Sequence, residues 1–304
     1  MEGRKEHIPV LLKEVLSNLS PRDGDVILDA TFGAGGYTKA ILDSANCKVI
    51  AIDRDEDTLK FAKQMEGDYG DRFGFHNIKF SEAKNYIEDH SLDGIVLDLG
   101  VSSMQLDNVA RGFSFNGETH LSMTMGKNEI DAFTVVNEYS EKNIADIIYR
   151  LGDEVKSRVI AKKIVEYRKK KKIETTKELA DIVRSCFGIQ KTRIDNATKT
   201  FQAIRIFVND ELNELETILE DSIGLLKSGG RLVVVSFHSL EDRIVKNFFG
   251  RYGDAKLGKI NKYKEEQIKT VFRVMTKRPV IATEEEIDSN RRSRSAKLRS
   301  AMRC

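Results

Sequence analysis

Four short apolar runs separated by helix-patterned stretches fill the first hundred residues, and no other feature limits the fold of this chain so strongly. The runs are Val26–Asp29, Val49–Asp53, Ile78–Phe80 and Ile95–Leu99, with helical patterns at about 37–45, 56–66 and 82–89 between them. Such alternation predicts βαβ units and a parallel sheet. The runs are almost wholly apolar rather than alternating, as expected of strands covered by helices on both faces. After Leu99 the rhythm stops. Residues 105–210 carry no convincing strand but several helical stretches, at 141–150, 154–171 and 176–186. A long helix over about 201–226, ended by Gly229-Gly230, leads back into sheet-like sequence, RLVVVSF at 231–237. TVFRVMT (270–276) and AKLRSAMR (296–303) are further strand candidates. The expected architecture is α/β, a doubly wound sheet interrupted by a helical insertion.

A chain of 304 residues is long enough for one large domain or two ordinary ones. Lys and Arg number 50 against 48 Asp and Glu, a net charge of +2, so any case for nucleic acid must rest on local clusters. Two exist: YRKKKK (167–172), and NRRSRSAKLRSAMR (290–303), whose basic residues are interleaved with serines. Either could be a solvated face, and the second could equally order a terminal strand. Cys47, Cys186 and Cys304 are far apart and form no CxxC pair, which fits a reducing compartment and excludes a zinc-finger spacing. No metal-ligand cluster is visible. The longest apolar runs, such as Leu232–Val235, are far too short for a bilayer, and MEGRKEHIPVLLKEVL at the start does not read as a signal peptide. A cytoplasmic protein without membrane contact is expected.

The first strand runs into DATFGAGGYTKAIL (29–42), where Gly33, Gly35 and Gly36 occupy the bend before a helix. Strand, glycine turn and helix together place bare amides against a ligand. Asp53 ends the next strand, where an acid can accept both hydroxyls of a ribose. A dinucleotide fingerprint would need a third glycine at position 38, which is Thr38. The Gly35-Gly36 pair resembles instead the first motif of S-adenosylmethionine-dependent methyltransferases. Asp98, in GIVLDLGVSS (94–103), closes the fourth strand at the ligand-binding edge of such a sheet. SFHSLED follows the fifth strand at the same edge and offers Ser236, His238 and Ser239. A Ser-His pair raises the idea of a hydrolase, but the chain has no GxSxG elbow. His238 reads equally well as a substrate contact and as a hydrogen-bonded structural residue.

Taken in order, HIPVLLKEVL (7–16), DATFGAGGYTKAIL, AIDRD (51–55), GIVLDLGVSSMQLD (94–107), RGFSF (111–115), TFQAIRIFVNDEL (200–212), VVVSFHSLEDRIVK (233–246) and NRRSRSAKLR (290–299) resemble the RsmH, or MraW, family. Its members methylate the N4 amine of a cytidine in 16S ribosomal RNA. The resemblance implies a Rossmann-like class I methyltransferase sheet over residues 1–104 and 212–304, with residues 105–211 as the RNA-recognition insertion. It also implies S-adenosyl-L-methionine as cofactor and, as partner, 16S rRNA in the decoding region of the small ribosomal subunit. Gly33, Gly35, Gly36 and Tyr37 would line its methionine end, Asp53 its ribose and Phe80, at the end of the third strand, its adenine, with Asp98 and Gln105 completing the set. Asp98 is the candidate catalytic group, with His238 behind it. Ser236, Ser239, Gln202 and Arg205 are candidates for substrate contact. The oligomeric state stays open, a homodimer among the options.

Three places depart from the family pattern. Tyr37 stands where a histidine is usual after the glycine pair, and Met104 replaces a proline. Where two acids and an arginine are usual, this chain has Ser122, Thr124 and Gly126, although the apolar Leu121, Met123 and Met125 spacing is kept. These losses leave room for a catalytically silent S-adenosylmethionine- and RNA-binding assembly factor. A doubly wound dehydrogenase is the other alternative, against which Thr38 stands.

Overall fold

The computed structural model describes residues 9–115, 117–188, 195–254 and 270–304. Of the stretches read from the sequence, His7 and Ile8 at the head of HIPVLLKEVL lie outside the described residues. The chain forms two compact units, Met1–Gly100 with Leu212–Cys304, and Val101–Glu211.

The first unit is built on a seven-stranded sheet in the order β3-β2-β1-β4-β5-β7-β6. Strands β1 (Val26–Asp29), β2 (Lys48–Ile52), β3 (Phe73–His76), β4 (Leu92–Asp98) and β5 (Leu226–Ser236) run parallel, while β6 (Phe272–Val274) and β7 (Lys297–Arg303) pair antiparallel. This is the doubly wound α/β sheet expected from the alternation. The strands are apolar throughout because both faces are covered. Leu28, Ile95 and Leu97 belong to one apolar cluster, while Ile27 and Val96 belong to another with helix residues Ile41 and Leu42. Chain order reverses between β1 and β4, and the ends of these two strands open the crevice where such sheets bind ligands.

Several boundaries moved. The third strand is Phe73–His76, not 78–80: Asn77 leaves the ladder to donate from Nδ2 to the Asp53 carbonyl at 2.8 Å. Phe80 therefore does not end a strand but opens a 3-10 helix, Phe80–Asn85, which replaces the helix expected at 82–89. The long helix expected at 201–226 is two helices, Thr198–Asn209 and Glu211–Leu225. Asp210 separates them in the left-handed region at φ 53°, a conformation that a short polar side chain tolerates better than most. Gly229 and Gly230 lie inside β5 instead of closing a helix.

The second unit is helical, as the loss of strand rhythm implied. Helices Ala132–Glu138, Glu141–Gly152, Ser157–Arg168, Thr176–Arg184 and Thr198–Asn209 enclose one core that includes Ile148, Ile160, Leu179 and Ile204. Each of Leu121, Met123 and Met125 is buried in that core, so the retained apolar spacing forms a packed rung. Between them the Ser122 and Thr124 hydroxyls pair at 3.0 Å, and Arg111 Nη2 donates to the Thr124 carbonyl at 2.9 Å. Gly112 has φ 75°, and a Cβ there would lie 2.6 Å from the His120 carbonyl oxygen, so only glycine fits this crossing of backbones. Among the described residues no helix is long and apolar enough to cross a membrane.

Buried Asn209 holds the rung in place. Its Nδ2 donates to the Met123 carbonyl at 2.7 Å, and its Oδ1 accepts from Met125 N at 2.8 Å. Asn209→Ala leaves both backbone groups unsatisfied, and each buried orphan costs about 1–3 kcal/mol. We expect a loss of about 2–4 kcal/mol in urea unfolding followed by circular dichroism; an unchanged midpoint would refute this role.

Candidate functional site

Three strand ends converge on the crevice, and each ends in a carboxylate. Asp29 closes β1 and is fully buried. Its Oδ1 accepts from Thr31 N at 3.2 Å and its Oδ2 from the Thr38 hydroxyl at 2.7 Å. Burial outweighs these hydrogen bonds and lifts its pKa to about 6. Thr31 reaches the next strand as well, its Oγ1 accepting from Asp98 N at 2.6 Å. Thr38, the residue that argued against a dinucleotide, thus has a positive role in tying the glycine-turn helix to the end of β1.

The glycine turn follows directly. Gly35 has φ 80°, and a Cβ there would lie 2.7 Å from Met65 Cε and 2.9 Å from the Phe32 ring. Both the backbone conformation and the space exclude a side chain. Gly33 N donates to Asp53 Oδ2 at 2.8 Å, and Asp55 N donates to Asp53 Oδ1 at 2.8 Å. Asp53 is thereby oriented through one lone pair on each oxygen, leaving others for a ligand. Its pKa is also lifted to about 6, by burial first and by the neighbouring Asp55 and Asp29 charges after it.

Asp98 ends β4. Its Oδ1 is buried without a hydrogen-bond partner. Burial, then the charges of Asp29 and Glu241, holds its carboxyl well above the usual carboxylate range. None of Asp29, Asp53 and Asp98 makes an ion pair with a described residue. A buried acidic basin of this kind repels the pyrophosphate of a dinucleotide and attracts a ligand that is cationic where it meets the sheet.

The remaining first-unit residues singled out from the sequence fall into place as follows. Gly36 starts the helix Gly36–Ser44, and a Cβ there would lie 2.4 Å from Pro9 Cγ. The Tyr37 side chain is buried and its hydroxyl donates to the Val10 carbonyl, which commits the ring to anchoring the N-terminal segment. Phe80 is half-buried against the core at the 3-10 turn. Ser236 is buried, with its hydroxyl 3.3 Å from the Lys297 carbonyl on β7. His238 caps the helix Ser239–Tyr252: its Nδ1 accepts from Glu241 N at 3.4 Å, while Glu241 Oε2 accepts from Phe237 N and His238 N. Only Ser239 of that motif is exposed.

In the second unit, Gln105 is buried and its Oε1 accepts from Ser102 N at 3.0 Å in a capping box. Arg205 forms a two-pronged ion pair with Glu211, both bonds at 2.8 Å, and Gln202 is half-buried on the same helix. The basic tail divides. Residues 297–303 form β7, where buried Arg299 pairs with Asp242 at 2.7 Å, whereas Arg291–Ser295 make a 3-10 turn. Sequence reasoning missed Asp29, Thr38 and Glu241. The first two were legible as an acid at the end of a strand with a hydroxyl nine residues on, at the start of the following helix. Glu241 was legible as the fourth residue of a capping box.

Comparison with known proteins identifies the family. The family model of the MraW methylase family matches residues 4–304. A ribosomal RNA small subunit methyltransferase H from Rickettsia massiliae is 51% identical over 302 residues, 98% of either chain. Its counterpart from Rickettsia bellii is 50% identical over 98% of this chain and 99% of its own. A solved rRNA methylase from Streptococcus thermophilus is similar at 13% identity with a TM-score of 0.39, over 100% of this chain and 98% of that one, too remote to add weight. With the family model spanning almost the whole sequence and relatives at half identity over nearly all of it, the chain belongs to the MraW methylase family.

Proposed function

We propose that this protein transfers a methyl group from S-adenosylmethionine to the N4 amine of a cytidine in 16S rRNA, within the small ribosomal subunit. The observation that carries the chemistry is the buried, unpartnered Asp98 Oδ1 beside a glycine turn. The names of the relatives, ribosomal RNA small subunit methyltransferase H, support ribosomal RNA of the small subunit as substrate, and the helical unit is the part we assign to reading it.

The residues present fit this cofactor. Its sulfonium and ammonium groups suit a basin of carboxylates with no cation of their own, its ribose suits the free lone pairs of Asp53, and the bare Gly35 backbone admits a close approach. When bound, S-adenosylmethionine supplies an electrophilic methyl group on a positively charged sulfur. Everything else falls to the protein. The cytidine amine is conjugated with its ring and a poor nucleophile, so its nitrogen must be held in line with the methyl carbon. Asp98 accepts a hydrogen bond from that amine, raising electron density on nitrogen. It then takes the proton that nitrogen sheds as the N–C bond forms. Burial and like charge favour the protonated acid, and a cation beside it would restore the carboxylate. The base must leave its stack to reach this edge.

Small ribosomal subunits from cells lacking the modification, incubated with tritiated S-adenosylmethionine, should carry the label in N4-methylcytidine. Asp98→Ala should reduce the single-turnover rate by roughly 10²- to 10⁴-fold, the range for losing a positioned acid–base group. Asp98→Asn, which keeps an acceptor but no base, should fall between. A wild-type rate in Asp98→Ala would remove Asp98 from the mechanism.

Asp53 sets a pH dependence. Its folded pKa of about 6 lies above the ordinary value of 3.8, so the folded chain takes up this proton first as pH falls. The raised pKa costs stability above about pH 6, and that cost disappears towards pH 4. Cofactor binding follows the opposite sign, because the ribose hydroxyls need the carboxylate. Calorimetry should find affinity falling through pH 6, approaching about tenfold per unit below it. Asp53→Asn should bind weakly with a flatter profile; a wild-type profile in that variant would overturn the assignment.

A further inference from the structure

Beyond the end of β5 lies a cavity of about 270 Å³ that methyl transfer as described does not use. Phe237, His238 and Ser239 form one side, and Ile281, Arg294 and Ser295 are among the residues of the other. One ring relates it to the acidic edge: Phe237 Cδ2 lies 3.6 Å from the point where a Cβ on Gly100 would sit, two residues beyond Asp98.

The chemistry of this cavity differs from that of the acidic basin. Its apolar wall includes Ile281, which is 65% exposed, a large aliphatic side chain left to solvent at the mouth. Its polar side is cationic. Three other basic residues of the 290–303 segment are committed: Arg299 and Lys297 to Asp242 at 2.7 and 3.4 Å, and Arg303 Nε to the Ile223 carbonyl at 3.0 Å. Arg294 and Ser295 are exposed and make no hydrogen bond or ion pair with a described residue. Ser239 is likewise exposed, at the first turn of the fourteen-residue helix Ser239–Tyr252, whose leading amides have no partner within the helix. Beside them the His238 side chain is only 10% exposed, with its Nε2 3.0 Å from Glu241 Oε1. An apolar wall with one aromatic ring, facing a free guanidinium, two free hydroxyls and a helix N-terminus, matches a nucleoside attached to a phosphate. The volume, a little below that of ordinary small-molecule pockets, suits one such unit.

We propose that this cavity holds the nucleotide flanking the methylated cytidine in the RNA chain. Its phosphate meets Arg294, Ser295 and the Ser239 end of the helix, and its base or ribose lies on Phe237 and Ile281. The inference rests on the methyltransferase reading and deepens it. A base drawn out of its stack carries its backbone neighbours with it, so contacts to a flanking nucleotide both fix the strand and give sequence context.

The test uses the full-length protein with unmethylated small subunits, titrated over a range of salt concentrations, and three variants: Arg294→Ala, Arg294→Lys and Ile281→Glu. Both side chains are exposed, so the thermal midpoints of all three variants should match wild type. Arg294→Ala should raise KM for subunits about tenfold, with kcat within twofold and the calorimetric Kd for S-adenosylmethionine unchanged. The slope of log affinity against log salt should become shallower by about one, the signature of one lost phosphate contact, and Arg294→Lys should restore it. Ile281→Glu, which sets a negative charge at the mouth, should raise KM at least as much. Wild-type KM and salt slope in both Arg294→Ala and Ile281→Glu would overturn the proposal. Failure of the methyltransferase reading looks different: wild-type protein would then bind subunits with these same variant effects yet yield no N4-methylcytidine.

Discussion

Like charge in a dry place is the constraint around which the first unit is arranged. A parallel sheet brings the carboxyl ends of its strands to one edge, and in this chain those ends carry Asp29, Asp53 and Asp98. For Asp29, a rise from 3.8 to about 6 corresponds to roughly 3 kcal/mol of unfavourable environment. The fold bears this through a core of fully buried strand residues, and among the described residues no lysine or arginine pairs with these acids to relieve the cost. An ion pair at this edge would stabilise the empty protein and compete with a cationic ligand. The unrelieved acid is what the proposed cofactor role of this edge would require.

The neighbouring contacts follow from that requirement. Thr31 and Thr38 each tie one strand end to another element, and the Asp29 and Asp53 carboxylates are held by a hydroxyl and backbone amides, which orient without neutralising. Gly33 and Gly35 keep the turn bare, both with positive φ. Glu241, buried and accepting two backbone amides, adds negative charge near Asp98 while capping the helix that follows β5. Past Phe237 the cavity wall carries the exposed Arg294. The edge is thus acidic at the reacting groups and basic where a polynucleotide backbone would lie.

The sequence was most legible where backbone and burial decide the outcome. Apolar runs gave β1 at its observed limits and three of the other parallel strands to within a few residues or, for β5, in its buried half. Loss of the strand rhythm marked the helical unit. Phe80 was misplaced because Phe73–His76, with glycine in its middle, is less apolar than the Ile78–Phe80 run, while Asn77 and the capping of the next turn draw the chain out of the sheet. Asp210 broke an apparently continuous helix by taking a left-handed conformation that no periodicity reveals. Side-chain partnerships were the least legible. Ser236 looks like a site hydroxyl until β7 places the Lys297 carbonyl beside it, Tyr37 looks like a pocket residue until Val10 arrives, and Gln105 spends its carboxamide oxygen on its own helix cap. These depend on residues far away in sequence or on local capping that competes with function. Resemblance to a family supplied candidate roles, and the structure adds which of those side chains already have partners within the fold.

The antiparallel β7 has a consequence for how the chain is made. It lies between β5 and β6, so β5 has an uncovered edge until residues 297–303 have been synthesised. The helical unit, by contrast, is one uninterrupted segment whose core draws only on itself, and it can close while the rest is still being translated. Vectorial synthesis therefore favours an order in which the inserted unit is finished before the sheet that carries the chemistry. During that interval the nascent chain exposes the apolar strand Leu232–Val235 along an unpaired edge, the stretch most open to mispairing or to a chaperone.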